Sequence, residues 1–294
     1  MIIDRFFALF VVMNVPRRSF LKTSVSASVL AATQLGGAPT IASVNREYYE
    51  LRAYRLNAGT GLRLKAGADP SLLDGYLERA LLPALDRLGV KNVGVFTEIE
   101  VNKAAGTSTP KKDTPIWMLI PHTTLDSFAH VGAALPADPA HEREGAAYVH
   151  VAKASPAFER IDSWLLVAFA GQPRLELPAF SRARTPSRVF EMRDYESHSE
   201  ERALNKIAMF DDGEIAVMRD LGMSPVFYGQ ALAGPDLPHL RYMTGAVDLA
   251  THLGNWKKFG PDPRWNRMKN LPQYTDNTSK NTARFLVPKP YSHI

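Results

Sequence analysis

From Arg188 to Phe227 the chain changes its hydrophobic period twice. Val189 to Tyr195 is a short run of strand type. Ala203, Leu204, Ile207, Phe210, Ile215, Met218 and Leu221 then recur at three- and four-residue steps, the period of a helix with one buried face. Ser197 followed by Glu200 predicts a capping box at the start of that helix, since each side chain reaches a free amide of the first turn. Asp211-Asp212-Gly213 predicts a break within it, and Gly222 its end. Ser224 to Leu232 returns to the strand pattern.

The same unit occurs earlier in the chain. Tyr49-Glu50-Leu51-Arg52-Ala53-Tyr54 repeats Phe190-Glu191-Met192-Arg193-Asp194-Tyr195 as aromatic, Glu, apolar, Arg, any residue, Tyr. Leu88-Gly89-Val90 parallels Leu221-Gly222-Met223, and Ile116 to Leu119 parallels Arg241 to Thr244. An ordered set of such matches means two copies of one module rather than a solenoid. The first module is expected over 44–170. Its strands are expected at 47–56, 91–101, 116–121 and 160–169. Its first helix starts at Asp69-Pro70 and kinks at Pro83, a strand-to-strand turn covers 102–115, and 125–158 is mostly helical. Residues 171–187, with Pro173, Pro178 and Pro186, read as a stiff linker. The second module, 188–294, is expected to carry strands at 189–195, 224–232, 239–245 and 282–287. Helices fill 198–221 and 248–258, and a last one is capped by Asp262. Both modules read β-α-β-β-α-β, the ferredoxin-like order, in an α+β fold.

Composition narrows the function classes. The hydrophobic fraction of 45% and charged fraction of 22% are those of a soluble globular protein with a sizeable core. Of the formal net charge of +5, +3 lies in residues 1–42, where Arg5, Arg17, Arg18 and Lys22 oppose Asp4. With no basic stripe elsewhere, nucleic acid is not an expected partner. There is no cysteine, which excludes disulfides, thiolate nucleophiles and iron–sulfur ligation. Arg17-Arg18-Ser19-Phe20-Leu21-Lys22 and the apolar run after it read as a twin-arginine signal peptide over 1–42. That predicts a folded passenger handed to the Tat export machinery and released to the periplasm or outside. An uncleaved leader acting as a membrane anchor is the alternative.

The stretch from Arg188 to Gly245, the segment Asn255 to Trp265 and the ending Phe285 to Ser292 together resemble the NIPSNAP family, in its exported bacterial branch. The resemblance implies a dimeric α/β-barrel fold in which two ferredoxin-like modules pack sheet against sheet. The pairing is either internal or within a homo-oligomer. It hands over no catalytic residue set.

Candidate chemistry is sparse. Arg52 with Tyr54, and Arg193 with Tyr195, stand two apart on a strand and so share a face. A guanidinium beside a phenol can hold an anionic or phenolic ligand, or make structural hydrogen bonds beneath the helices. His198, at a helix start, is either a base kept neutral there or a solvated first-turn residue. Trp256, close to Phe259 and Trp265, reads as core or as a stacking surface. His141 with Glu144 is the nearest approach to a metal pair, and a surface helix explains it better, so no metal and no cofactor is predicted; no histidine is singled out for haem, which stays open. No nucleophile elbow, Walker loop or dinucleotide turn is present. The leading expectation is a protein that binds a small, partly apolar molecule in a cavity between the sheets. The alternatives are a cofactor-independent oxygenase or isomerase, with His198 as base, Tyr195 as hydrogen-bond donor and Arg193 as anion holder, and a non-catalytic interaction protein of the envelope.

Overall fold

Among the residues described by the computed structural model, 45–56 and 68–294, nine strands form one sheet. The expected leader lies outside these residues. The strands are β1 Tyr48–Arg55, β2 Gly94–Asn102, β3 Thr107–Pro110, β4 Ile116–His122, β5 Arg160–Ala168, β6 Val189–Glu196, β7 Ser224–Ala233, β8 His239–Ala246 and β9 Lys280–Pro288. Every pairing is antiparallel. The order is β3-β2-β4-β1-β5-β7-β8-β6-β9, and β9 pairs back onto β2, closing a barrel. With the β3 arm set aside, each half runs second, third, first, fourth along its own strands. The halves join twice, through β5–β7 and through β2–β9, so their pairing is internal to the chain.

The helices cover the outside. They are α1 Pro70–Tyr76, α2 Leu82–Arg87, α3 Leu125–Ala134, α4 Pro139–Val149, α5 Ala179–Arg182, α6 Glu200–Met209, α7 Ile215–Asp220, α8 Leu249–Phe259 and α9 Pro263–Lys269. A π turn, Leu77–Leu81, joins α1 to α2, and another, Phe210–Glu214, joins α6 to α7. The first precedes Pro83, whose missing N–H disturbs the helix ladder. The second contains the expected break, with Gly213 at a non-helical φ of 157°.

Period-two alternation sorts the strand side chains. Tyr49, Leu51 and Ala53 of β1 and Phe190 and Met192 of β6 point into the barrel. Phe96 meets Phe190 there with ring centroids 5.4 Å apart, and Trp117 stacks on Trp164 at 5.9 Å. These rings pack against one another inside the barrel. One end of the interior is charged. Asp194 accepts hydrogen bonds from both Arg241 and Arg284, and the Arg241 guanidinium lies 4.3 Å from the Trp164 ring centroid. On the outer faces, Leu73, Leu77, Leu81 and Leu85 pack on the first half of the barrel, and Phe210 and Met218 on the second.

Four local expectations are corrected. The helix after β6 is capped by Ser199, whose hydroxyl accepts from the Arg202 amide, not by Ser197. Ser197 is buried and donates to the Asn277 carbonyl at 2.7 Å, so its oxygen is committed elsewhere. Residues 102–115 contain β3, an exposed arm paired to β2, whose Thr-Ser-Thr-Pro sequence carries no hydrophobic signal. The helical stretch after α3 ends at Val149, and Pro156 restricts the loop beyond it. Residues 171–187 are a packed strap rather than a spacer. The strap contains α5, takes a hydrogen bond from the Glu47 amide at Pro173, and sends Leu175, Leu177 and Phe180 against the barrel interior.

Candidate functional site

While Phe190 and Met192 of β6 face the barrel, the residues between them face the helices. Glu191, Arg193 and Tyr195 therefore share the outer surface of the second half, beneath α8. Asp248 caps α8 by accepting from the Thr251 amide at 2.7 Å, which sets the helix phase. Residues four apart on a helix lie on one face, and this brings His252 and Trp256 onto β6.

The contacts form a chain. His252 Nε2 is 2.8 Å from Glu191 Oε2, and Trp256 Nε1 points at the same Nε2 from 3.1 Å. The Arg193 guanidinium stacks 4.5 Å from the Trp256 ring centroid and 5.5 Å from that of Tyr195. Its NH1 is 3.7 Å from Glu191 Oε1. The Tyr195 hydroxyl pairs with that of Tyr242 at 2.9 Å, and burial pushes its pKa up to about 12. Glu191 Oε1 and Arg193 Nε have no hydrogen-bond partner among the described residues. A pocket of about 270 Å³ opens here, lined by Lys103, Glu191, Arg193, Leu253, Trp256 and Lys257. Lys103 comes from the turn between β2 and β3, so the first half contributes to a site built mainly by the second.

The electrostatics favour an anion. Three cations face one carboxylate. Burial pushes the Glu191 carboxyl upward, but the His252 hydrogen bond and the Arg193 charge outweigh it and leave the group below its ordinary range. Burial opposes the charge on Arg193 as well, and the surrounding Tyr242, Tyr195 and Glu191 more than offset it.

Comparison with known proteins bears on this half of the chain. Residues 190–293 match the NIPSNAP family model. The NIPSNAP segment therefore holds every lining residue of the pocket except Lys103. A NIPSNAP-like domain protein of Burkholderia xenovorans is 18% identical over 36% of this chain and 90% of its own, with a TM-score of 0.33. A NIPSNAP family protein of Agrobacterium tumefaciens is 19% identical over 36% of this chain and 96% of its own, with a TM-score of 0.32. The whole barrel is similar to that of a Fusobacterium nucleatum protein named as a candidate monooxygenase, 8% identical over 83% of this chain and 93% of its own, with a TM-score of 0.50. That likeness concerns the fold. No curated protein matches the sequence.

Of the residues singled out in the sequence, Arg193 and Trp256 meet in the pocket, with Tyr195 beneath Arg193. His198 does not join them: it is exposed at the bend after β6. On the equivalent surface of the first half, the matching side chains pair with one another. Arg52 donates to Glu50 Oε1 at 2.5 Å and to the Tyr54 hydroxyl at 3.4 Å, while Tyr54 packs edge-on against Phe158 with centroids 5.8 Å apart. His141 is buried against the Tyr76 hydroxyl at 3.1 Å, and Glu144 pairs with Arg143 instead. Glu191, His252 and Lys103 were missed. Glu191 sat at a matched position of the repeated strand motif, and His252 stood four residues before Trp256. Lys103 carried no signal.

Proposed function

We propose that the protein binds a small, partly apolar anion, of the aromatic carboxylate class, in the pocket between β6 and α8. One observation carries the reading. Lys103, Arg193 and Lys257 line the pocket with a single carboxylate, Glu191, beside the Trp256 ring, and Arg193 Nε has no hydrogen-bond partner among the described residues. A buried donor without a partner is costly, and a ligand oxygen would satisfy it. The indole and Leu253 supply the apolar wall. Calorimetric titration with benzoate and phenylpyruvate tests this, with benzyl alcohol as the uncharged control. Both acids are expected to bind, and Arg193→Ala and Lys103→Ala to weaken them by about tenfold or more, the cost of a lost charge-assisted hydrogen bond. Unchanged affinity in both variants would sink the reading.

The two halves are read as tandem ferredoxin-like modules, supported by a strand order that is the same in both once the β3 arm is set aside. Export through the twin-arginine leader is supported by Arg17-Arg18 and the apolar run that follows. A second reading, a docking platform, has one observation in its favour. Leu204, Leu232 and Leu237, at 51%, 45% and 47% exposure, rim a groove with Ala203 and Pro238. A change of molar mass in light scattering on Leu232→Asp would favour it, and an unchanged mass would count against self-association there.

A further inference from the structure

We infer that this pocket also transfers protons, with Glu191 as the base and His252 as its positioning residue, acting on a carbonyl compound that carries a carboxylate beside an acidic C–H bond. The inference rests on the anion-binding reading above.

The two oxygens of Glu191 are not equivalent. Oε2 is held by His252 Nε2 at 2.8 Å, whereas Oε1 has no hydrogen-bond partner among the described residues of a side chain that lines the pocket. A carboxylate in a plain structural role is satisfied on both oxygens or faces water. This one is 1% exposed and hydrogen-bonded on one oxygen, while the other has only the Arg193 charge, 3.7 Å away.

The held oxygen sits in an arrangement with two proton states. Trp256 Nε1 can only donate, and it points at His252 Nε2 from 3.1 Å. Nε2 cannot accept from Trp256 while donating to Glu191. With the proton on His252, the bond to Glu191 is made and the carboxylate is fully charged. A proton taken from a substrate lands on Oε1 and leaves the Nε2–H donating to Oε2 of the now neutral acid, so the imidazole keeps its hydrogen bond while Glu191 takes up a proton and returns it. Phe285 fixes the imidazole plane, edge to face at 5.6 Å between centroids.

The chemistry closes without a co-reactant. Glu191 Oε1 takes the proton from the carbon next to the carbonyl. The C–H electron pair becomes the carbon–carbon double bond of an enolate, and the carbonyl oxygen takes the negative charge. Arg193 and Lys103 hold that charge, and Lys257 adds to the positive field over the substrate carboxylate. Returning the proton from Glu191 to carbon restores the ketone, and returning it to oxygen gives the enol. Nothing is oxidised or reduced. The reaction is enolisation, an isomerase activity, and its base is Glu191 rather than the exposed His198.

The test uses phenylpyruvate in deuterated buffer, following loss of its methylene signal by proton NMR, with the full chain and binding measured in parallel. Wild type is expected to exchange the methylene protons well above the buffer rate. Glu191→Gln, which keeps the shape, is expected to lose about 10²-fold or more of that acceleration while still binding benzoate. His252→Ala is expected to move the acid limb of the exchange profile to higher pH, because the hydrogen bond that keeps Glu191 ionised is gone. A merely structural histidine would lower the rate at every pH alike. Phenylpyruvate that binds but exchanges at the buffer rate overturns proton transfer and leaves anion binding standing. Exchange undiminished in Glu191→Gln overturns the assignment of the base. Failure of both benzoate and phenylpyruvate to bind overturns the anion site, and this inference with it.

Discussion

Removing Asp194 should destabilise the barrel more than most single changes on its outer faces. Asp194 and Arg241 are 4% and 2% exposed, and Asp194 also accepts from Arg284. Arg241 NH1 already lacks a partner among the described residues. Burial pulls the Arg241 pKa down, and Asp194 is the principal force opposing it. Asp194→Ala therefore leaves a buried guanidinium uncompensated, while the partly exposed Arg284 can turn to water. Breaking a buried pair this way costs about 3–5 kcal/mol. For a chain of this size each kcal/mol lowers Tm by about 2–4 °C, so the loss is roughly 6–20 °C. Differential scanning calorimetry measures it, and indole fluorescence reports it locally because Arg241 lies against Trp164. The double variant Asp194→Ala/Arg241→Met should recover most of the loss, since an apolar group of similar size replaces the orphaned charge. A single variant melting within about 2 °C of wild type would refute the reasoning, as would a double variant whose loss equals the sum of the singles.

Three other outcomes are expected. Because Glu191 is held below its ordinary value of 4.5, the stability it contributes is complete above that value and drains away as pH falls through the lower folded one. Thermal melts from pH 7 to pH 3 should show wild type losing its advantage over Glu191→Gln, and a gap that widens with acid would contradict this. Gly229→Ala should cost about 1–3 kcal/mol in urea unfolding. A Cβ there would lie 2.9 Å from the Leu166 Cβ, across the β5–β7 junction of the two halves. Lys at both Arg17 and Arg18 should leave the precursor uncleaved inside the cell on fractionation, and normal export of that variant would rule the Tat reading out.

Much of the architecture was legible because it is written locally. The alternation in Tyr48 to Arg55 and Val189 to Glu196, the caps at Asp69 and Asp262, and the helix break at Gly213 all depend on near neighbours in the chain. The repeat of Glu-x-Arg-x-Tyr falls on β1 and β6, two strands of the same barrel. What was illegible depends on partners far along the sequence. Nothing in Gly94 to Asn102 states that it will pair with Lys280 to Pro288, and so the closure of the barrel, and with it the packing of its interior, could not be read. The site was half legible for the same reason. Arg193 and Trp256 were visible as types with few bland uses. Glu191 was hidden because its partner His252 stands 61 residues away, and a glutamate on a strand reads as an exposed charge. Ser197 misled because two serines compete for one cap, and only burial against Asn277 decides between them.

The closure of the ring within a single chain has a consequence for inheritance. In a two-copy assembly of identical subunits, every substitution appears twice, so a pocket cannot be opened on one side without opening it on the other. Here position 256 exists once. The first half pairs its Arg52 with Glu50 and Tyr54, while the second keeps Arg193 facing a cavity, and each can change without consent of its twin. The halves are free to diverge, and residues such as Lys103 can be recruited to a pocket across the seam from the other half.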